Sequence, residues 1–304
     1  MIISEPGVIA PSLYTVATAD VPIYLLDGDR PALFDAGFAC LSDLYIDSIQ
    51  AILSDRQPAF CCLTHSHFDH VGAVAALKKR YPEMQICAFE RVGHIMAKPR
   101  AVATMQTLSS AAAAAVTDYG LDAGSLGGEF EAFELDRLLK EGDTLTVSDS
   151  LTVEVLETPG HTRDCLSYYI PEIKALIASE ALGIPDYTGY VVADFLVDYD
   201  MYMASVTKLN QLDVDILCLG HSYVYTDEDA HTYIPRAMDY AKAFRKRVED
   251  CLHESSGDIE QATQALRAYE YDGKTGPKQP EPAYMMNLKA RILAVQCRME
   301  QKEA

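Results

Sequence analysis

Between Leu63 and Val71 the chain reads Thr64-His65-Ser66-His67-Phe68-Asp69-His70, three imidazoles and a carboxylate within six residues. Packing alone rarely asks for so many polar groups in one place, because each one taken out of water needs a partner. Imidazole and carboxylate without thiolate form the donor set of a catalytic zinc, iron or manganese site, whereas a closed structural zinc site usually recruits cysteine. The apolar run Ala59-Phe60-Cys61-Cys62-Leu63 in front reads as a buried strand, and Val71 to Arg80 behind reads as a helix. The donors therefore sit at a strand-to-helix turn, where side chains fan out: His65 and His67 can reach one ion while Asp69 and His70 reach a neighbouring one.

The same signature, a polar group where an apolar strand stops, recurs downstream in Thr158-Pro159-Gly160-His161, in Ser179-Glu180-Ala181-Leu182-Gly183 and in Gly220-His221. Seven donors exceed one tetrahedral ion, and two ions a few ångströms apart that share a carboxylate would use them all. Tyr223, and Tyr187 or Tyr190 in the loop after Glu180, can donate a hydrogen bond to a developing oxyanion. His94, His231 and His253 have no partner at ligand spacing and are expected at the surface or behind the ligands.

Positioning these groups falls to strands alternating with helices, which places the chain in the α/β class. Val21 to Asp27 and Pro31 to Asp35 read as strands joined by Gly28-Asp29-Arg30, followed by a helix over Leu41 to Leu53 and, past the histidine turn, a strand over Met84 to Phe89. Residues 91–139 form an alanine-rich helical insertion without a clear strand, broken at Gly124, Gly127 and Gly128 by a surface loop rather than a lid. Strands resume at Thr144 to Val147, Leu151 to Leu156, Cys165 to Ile170, Ile173 to Ala178 and Ile216 to Cys218, with an aromatic and acidic loop over Asp186 to Tyr199 and a helix near Met201 to Leu212. Residues 1–225 are read as the core and 226–304 as a helical extension packed on it. There Thr226 caps a helix whose apolar face is Ile234, Ala237, Met238, Ala241, Phe244, Val248 and Leu252. A second helix covers Ile259 to Tyr269, a stiff linker runs from Gly273 through Gly276 and Pro277 to Pro282, and a last helix carries Met285, Leu288, Ile292, Val295 and Met299 as a core or dimer seam.

The 304 residues are 49% hydrophobic and 23% charged, an ordinary globular composition. A formal charge of −20 repels phosphate backbones and anionic membranes, so neither nucleic acid nor membrane is an expected partner. Arg245-Lys246-Arg247 reads as the solvated face of its helix. The eight cysteines contain no CxxC pair and sit in apolar runs, which points to a reducing cytoplasm, as does the lack of a basic, then apolar N-terminal signal.

The HxHxDH turn, a histidine after Pro159-Gly160, the acid Glu180 after a strand and Gly220-His221 late in the core together resemble the metallo-β-lactamase superfamily of metallohydrolases, over about residues 10 to 225. The resemblance implies a four-layer αββα sandwich with a dinuclear site between its two sheets. It also implies His65, His67 and His161 on the first metal, Asp69, His70 and His221 on the second, and Glu180 bridging. The ions would be zinc or iron, with manganese permitted. The bridging acid of that superfamily is usually aspartate, and glutamate adds a methylene; Asp186 and Asp194 lie close enough in sequence to substitute, but the register favours Glu180. The implied chemistry is attack of a bridging hydroxide on a carbonyl or phosphoryl group, with Asp69 and Tyr223 as catalytic residues.

Within that family a true β-lactamase would lack the bridging carboxylate and carry an export signal, a flavodiiron reductase would need an acid at His67 and a flavin domain, and a tRNA-processing nuclease would need a basic arm. The ligand set resembles glyoxalase-II-like thioesterases, and the layout of insertion and tail resembles the Pseudomonas quinolone-signal response protein. The expected function is hydrolysis of a small ester or thioester whose apolar or aromatic acyl group meets Tyr187, Tyr190, Phe195 and Tyr199, with a homodimer through the C-terminal helices as a further expectation. The alternatives are a regulatory protein of the same fold acting through a partner, and a di-iron redox protein.

Overall fold

In most strands alternate side chains enter different hydrophobic clusters. Tyr24, Leu26, Phe34, Phe60, Cys62 and Cys87 join one cluster, while Ile23, Leu25, Leu33, Cys61, Ile86 and Ala88 join another on the opposite face. Strands buried on both faces read as unbroken apolar runs, which is why the sequence shows no polar alternation there. The computed structural model describes residues 1–18, 21–116, 127–275 and 278–303. Gly124 of the expected insertion break and Gly276 and Pro277 of the expected linker lie outside them.

Two seven-stranded sheets face each other. The first runs in chain order through Gly7–Ala10, Leu13–Val16, Ile23–Leu26, Ala32–Phe34, Phe60–Cys62, Gln85–Ala88 and Arg137–Leu138, its last four strands parallel. The second runs Ile2–Ile3, Val224–Thr226, Ile216–Cys218, Ala175–Ile177, Leu166–Ile170, Leu151–Glu157 and Thr144–Ser148, antiparallel except where Ala175–Ile177 meets Ile216–Cys218. One cluster fills the space between the sheets, with Tyr168, Ile177 and Cys218 supplied by the second sheet. The outer face of the first sheet is covered by Ser42–Leu53, Val74–Arg80 and Glu90–Met96, and that of the second by Tyr199–Leu209, Glu228–Glu254, Ile259–Arg267 and Glu281–Glu303. The layers are thus helix, sheet, sheet, helix, the αββα sandwich that the family resemblance implies.

Departures from expectation have local causes. Helix begins inside the histidine turn, over Phe68–Val71, and restarts at Val74 after Gly72, where a Cβ would come 2.4 Å from the Ala39 nitrogen. The insertion is helical over Glu90–Met96 and Pro99–Val116, yet Arg137–Leu138 adds a short edge strand, too brief to show a period. Thr226 ends a strand instead of capping a helix: Asp227 occupies the cap position at φ 55°, tied by its N–H to the Asp215 carbonyl at 2.8 Å, and its side chain makes no capping bond. The seam of the last helix is spent inside the chain, with Leu288, Ile292 and Val295 at 0% exposure. The basic triplet is likewise engaged, Arg245 with Glu249, Lys246 with Asp250 and Arg247 over the Tyr269 ring. All the cysteines are free and all but Cys297 are buried. Among the described residues no helix is long and apolar enough to cross a membrane.

The tail is anchored by a fully buried ion pair. Arg291 lies 2.7 Å from Glu270 Oε2 and 3.2 Å from its Oε1, the Tyr190 and Tyr284 hydroxyls donate to the two carboxylate oxygens at 2.9 and 3.0 Å, and the guanidinium stacks over Phe244. Removing one partner strands the other charge in the core. Arg291→Met should therefore cost about 3–5 kcal/mol in urea unfolding, and adding Glu270→Gln should recover a large part of the loss.

Candidate metal centre

The two parallel pairs set the site. Ala32–Phe34 and Phe60–Cys62 stop side by side, so the next residues bring Asp35 against Thr64, whose N–H donates to Asp35 Oδ1 at 2.7 Å. Ala175–Ile177 and Ile216–Cys218 stop together on the other sheet and bring Glu180 beside Gly220-His221. Reciprocal ties hold the two ends in place. The Tyr24 hydroxyl of the first sheet donates to the Leu219 carbonyl at 2.6 Å, and the Tyr168 hydroxyl of the second donates to the Leu63 carbonyl at 2.6 Å. The Leu166 N–H adds a bond to the Thr64 carbonyl at 2.8 Å.

These ties bring all seven sequence-predicted donors together as three interlocked groups, His65/His67/His161, His65/His70/Glu180 and Asp69/His70/His221, each with its donor atoms within 4.8 Å of one another. His161 Nε2 lies 3.0 Å from His67 Nδ1. Glu180 Oε1 lies 2.8 Å from both His70 Nε2 and His221 Nε2. Asp69 Oδ2 is 3.8 Å from His70 Nε2 and 3.7 Å from His221 Nε2, on the more open side with His67. His65 Nε2 and His70 Nε2 are both buried, and beyond the close approach of Glu180 to His70 neither has a hydrogen-bond partner among the described residues. Ring nitrogens buried in this way beside carboxylates fit a cation. Burial lowers the His67 imidazole to about 4, which keeps it neutral and free to ligate. Burial opposes the charge on Glu180, but His70 and His65 outweigh it and hold the carboxylate well below its ordinary range.

Behind the ligands stand groups that orient them. Asp35, at φ 64° and 5% exposed, accepts from His70 Nδ1 at 2.9 Å, leaving Nε2 free. The Asp194 carbonyl is 2.9 Å and its carboxylate 3.2 Å from His161 Nδ1, and Asn287 of the last helix donates to the same carboxylate at 3.5 Å. Burial lowers His161, but the bond and charge of Asp194 prevail and raise it to about 9. From the sequence, Asp194 reads only as a substitute ligand and Asp35 only as the end of a strand. The cue for Asp35 was present, a carboxylate where an apolar strand stops, but its partner His70 is 35 residues away. The Asp194–His161 pairing follows no such pattern.

Other expected residues sit elsewhere. Phe195 is fully buried against Tyr199, Tyr202 and Phe244, and so is a core residue without a face for substrate. Tyr190 is engaged with Glu270 and lies under Lys274, whose ammonium is 3.8 Å from the ring centre, and the exposed Tyr187 hydroxyl meets Thr275. Asp186 pairs with Lys274 at 2.5 Å and takes no part among the donors. The Tyr223 ring packs toward Tyr225 and the C-terminal core, and its N–H donates to the His221 carbonyl at 2.9 Å. His94 is paired with Glu90 and His231 with Asp215, both exposed, and His253 is exposed at a helix end.

An aspartate that fixes a ligating imidazole commonly changes metal affinity 10–100-fold. Asp194→Ala should weaken zinc binding at His65/His67/His161 by about that factor in chelator competition, and an unchanged affinity would remove Asp194 from the site.

The sequence model of the metallo-beta-lactamase superfamily matches residues 19–221. A hydroxyacylglutathione hydrolase of Rhodopseudomonas palustris is 31% identical over 214 residues, 68% of each chain. Among solved structures, a metallo-beta-lactamase superfamily protein of Sulfolobus tokodaii superposes at a TM-score of 0.56 with 16% identity over 97% of each chain. A subclass B3 metallo-beta-lactamase of Bradyrhizobium japonicum superposes at 0.54 with 20% identity, over 86% of this chain and 96% of its own. The match spans the strand ends that deliver every donor, and the chain belongs to the metallo-beta-lactamase superfamily.

Proposed function

We propose that this protein is a dinuclear metal-dependent hydrolase of a small ester or thioester. The observation that carries the reading is that two of the donor groups, His65/His67/His161 and Asp69/His70/His221, share no residue, while Glu180 groups with one histidine of each; this supports one cation per group with Glu180 between them. The R. palustris relative, named for hydrolysis of a hydroxyacyl glutathione thioester, supports a thioester as the bond cleaved. Bound divalent cations, zinc or iron with manganese permitted, would supply Lewis acidity, lowering the pKa of a water and stabilising charge on the carbonyl oxygen.

The chain's own groups divide the remaining work. Glu180, His65 and His70 form the enclosed base of the site, and half-buried His67, Asp69 and His221 form its open side, from which substrate enters. Asp35 and Asp194 hold the imidazoles of His70 and His161 with their Nδ1 atoms occupied and the opposite nitrogens turned to the site. With Phe195 in the core and Tyr190 committed to Glu270, the apolar side chain nearest the donors in sequence is half-buried Phe68, between His67 and Asp69, and half-buried Phe38 lies 5.9 Å from it, ring centre to ring centre; we assign this pair to the acyl group. The net charge of −20 supports a small-molecule substrate over nucleic acid.

Elemental analysis tests the dinuclear reading. Wild type should carry about two metals per chain and Glu180→Ala one or fewer. Metal-loaded wild type should hydrolyse a member of a panel of hydroxyacyl thioesters, lactones and esters, and Asp69→Ala should lower kcat/KM by at least about 100-fold, near 2.7 kcal/mol of transition-state stabilisation. Absence of turnover across the panel would sink the proposal.

A further inference from the structure

Glu180 is held by two neighbours that make no direct claim on a metal, Ser179 and Gly220. We infer that they are positioning residues which fit this centre to glutamate, in place of aspartate, at position 180; the inference rests on the metallohydrolase reading above.

Ser179 occupies the left-handed region at φ 49°, a conformation that side-chain-bearing residues rarely adopt and that persists only where surrounding contacts impose it. Glycine would meet that backbone requirement without strain, so the serine hydroxyl has to account for the residue's presence. It is 3% exposed, donates to Glu180 Oε2 and lies 3.1 Å from the Thr64 hydroxyl. Thr64 Oγ1 is in turn 3.0 Å from His65 Nδ1 and 2.9 Å from Asp35 Oδ2, the oxygen that also meets His70 Nδ1. These close approaches, with the single Thr64 proton free to serve either Ser179 or Asp35, link the Glu180 carboxylate to the groups that orient His65 and His70 and cross from one sheet to the other.

Gly220 has the opposite character. Its φ lies outside the left-handed region, so its backbone does not call for glycine. What the missing side chain leaves is space: a Cβ would stand 2.8 Å from Glu180 Oε1 and 2.9 Å from both Cδ and Oε2. Those atoms cannot step aside, because Oε2 is bound by Ser179 and Oε1 sits 2.8 Å from His70 Nε2 and His221 Nε2. An aspartate would withdraw its carboxylate by about one carbon–carbon bond, ~1.5 Å, and leave the space over Gly220 empty. Length of the acid, absence of the Cβ and position of the hydroxyl form one fitted set.

The test measures zinc per chain after dialysis at a fixed free-zinc concentration, together with the melting temperature of the metal-free protein, for wild type and four variants. Gly220→Ala and Glu180→Asp should each fall from about two zinc to about one. The double variant Gly220→Ala/Glu180→Asp should regain most of the second zinc, since the alanine methyl occupies the space that the shorter acid vacates. Ser179→Gly removes both the strain and the hydroxyl, so its metal-free form should melt no lower than wild type while zinc affinity drops at least tenfold, a split that a purely structural serine would not produce. Gly220→Ala with wild-type zinc content, or a double variant no better than the single ones, overturns the role of Gly220. Wild-type affinity in Ser179→Gly overturns that of Ser179 and decides the matter if Gly220→Ala does not fold. Wild-type protein that takes up no zinc overturns the metallohydrolase reading and this inference with it.

Discussion

Carboxylates and imidazoles buried at the mouth of an apolar core impose the constraint on which this structure depends. Asp35, Glu180, Asp194, His65, His70 and His161 are each at most 5% exposed, and none would be tolerated there alone. Carboxylates and imidazoles face one another across that mouth: Asp35 meets His70, Glu180 meets His65, His70 and His221, and Asp194 meets His161. The buried cost of the acids and that of the imidazoles offset one another, and a cation placed among the orphaned His65 and His70 nitrogens would complete the balance. Packing and chemistry at this site are one arrangement, so a change made for either is felt by both.

That balance requires two sheets that stay in register with each other. The matched groups come from different sheets, and apolar packing between sheets is not directional enough to place a carboxylate to a fraction of an ångström. Tyr24 and Tyr168 supply the direction, each crossing the inter-sheet core to a carbonyl next to the opposite sheet's site loop. Buried tyrosines pack as aromatics along most of their length and demand one hydrogen bond at the tip, which suits them to this use.

The family match ends at residue 221, and the helices beyond it are not mere cladding. Their core is continuous with the outer face of the second sheet, and their buried Arg291–Glu270 pair engages Tyr190 from the loop after Glu180. Asn287 reaches the carboxylate of Asp194, which holds His161. The tail thus meets the site through the residues that orient a ligand, and its stability and the imidazole's orientation share a boundary.

The local sequence pointed to the candidate donors and to the elements that carry them. His65, His67, Asp69, His70, His161, Glu180 and His221 were legible because a polar group at the end of an apolar strand is costly anywhere except at a site, and that cost is paid within a few residues of chain. The strands themselves were legible from their apolar runs, while the two-residue edge strands Ile2–Ile3 and Arg137–Leu138 were too short for any pattern. Only the tertiary structure decided which residues serve the donors. Asp35, Asp194 and Asn287 act across long separations in sequence, Phe195 is core because Tyr202 and Phe244 close over it, and Gly220 matters through an atom it lacks beside a side chain 40 residues earlier. Periodicity and propensity describe a residue's relation to its own element. Orientation of a ligand is a relation between elements, and it exists only once the two sheets have met.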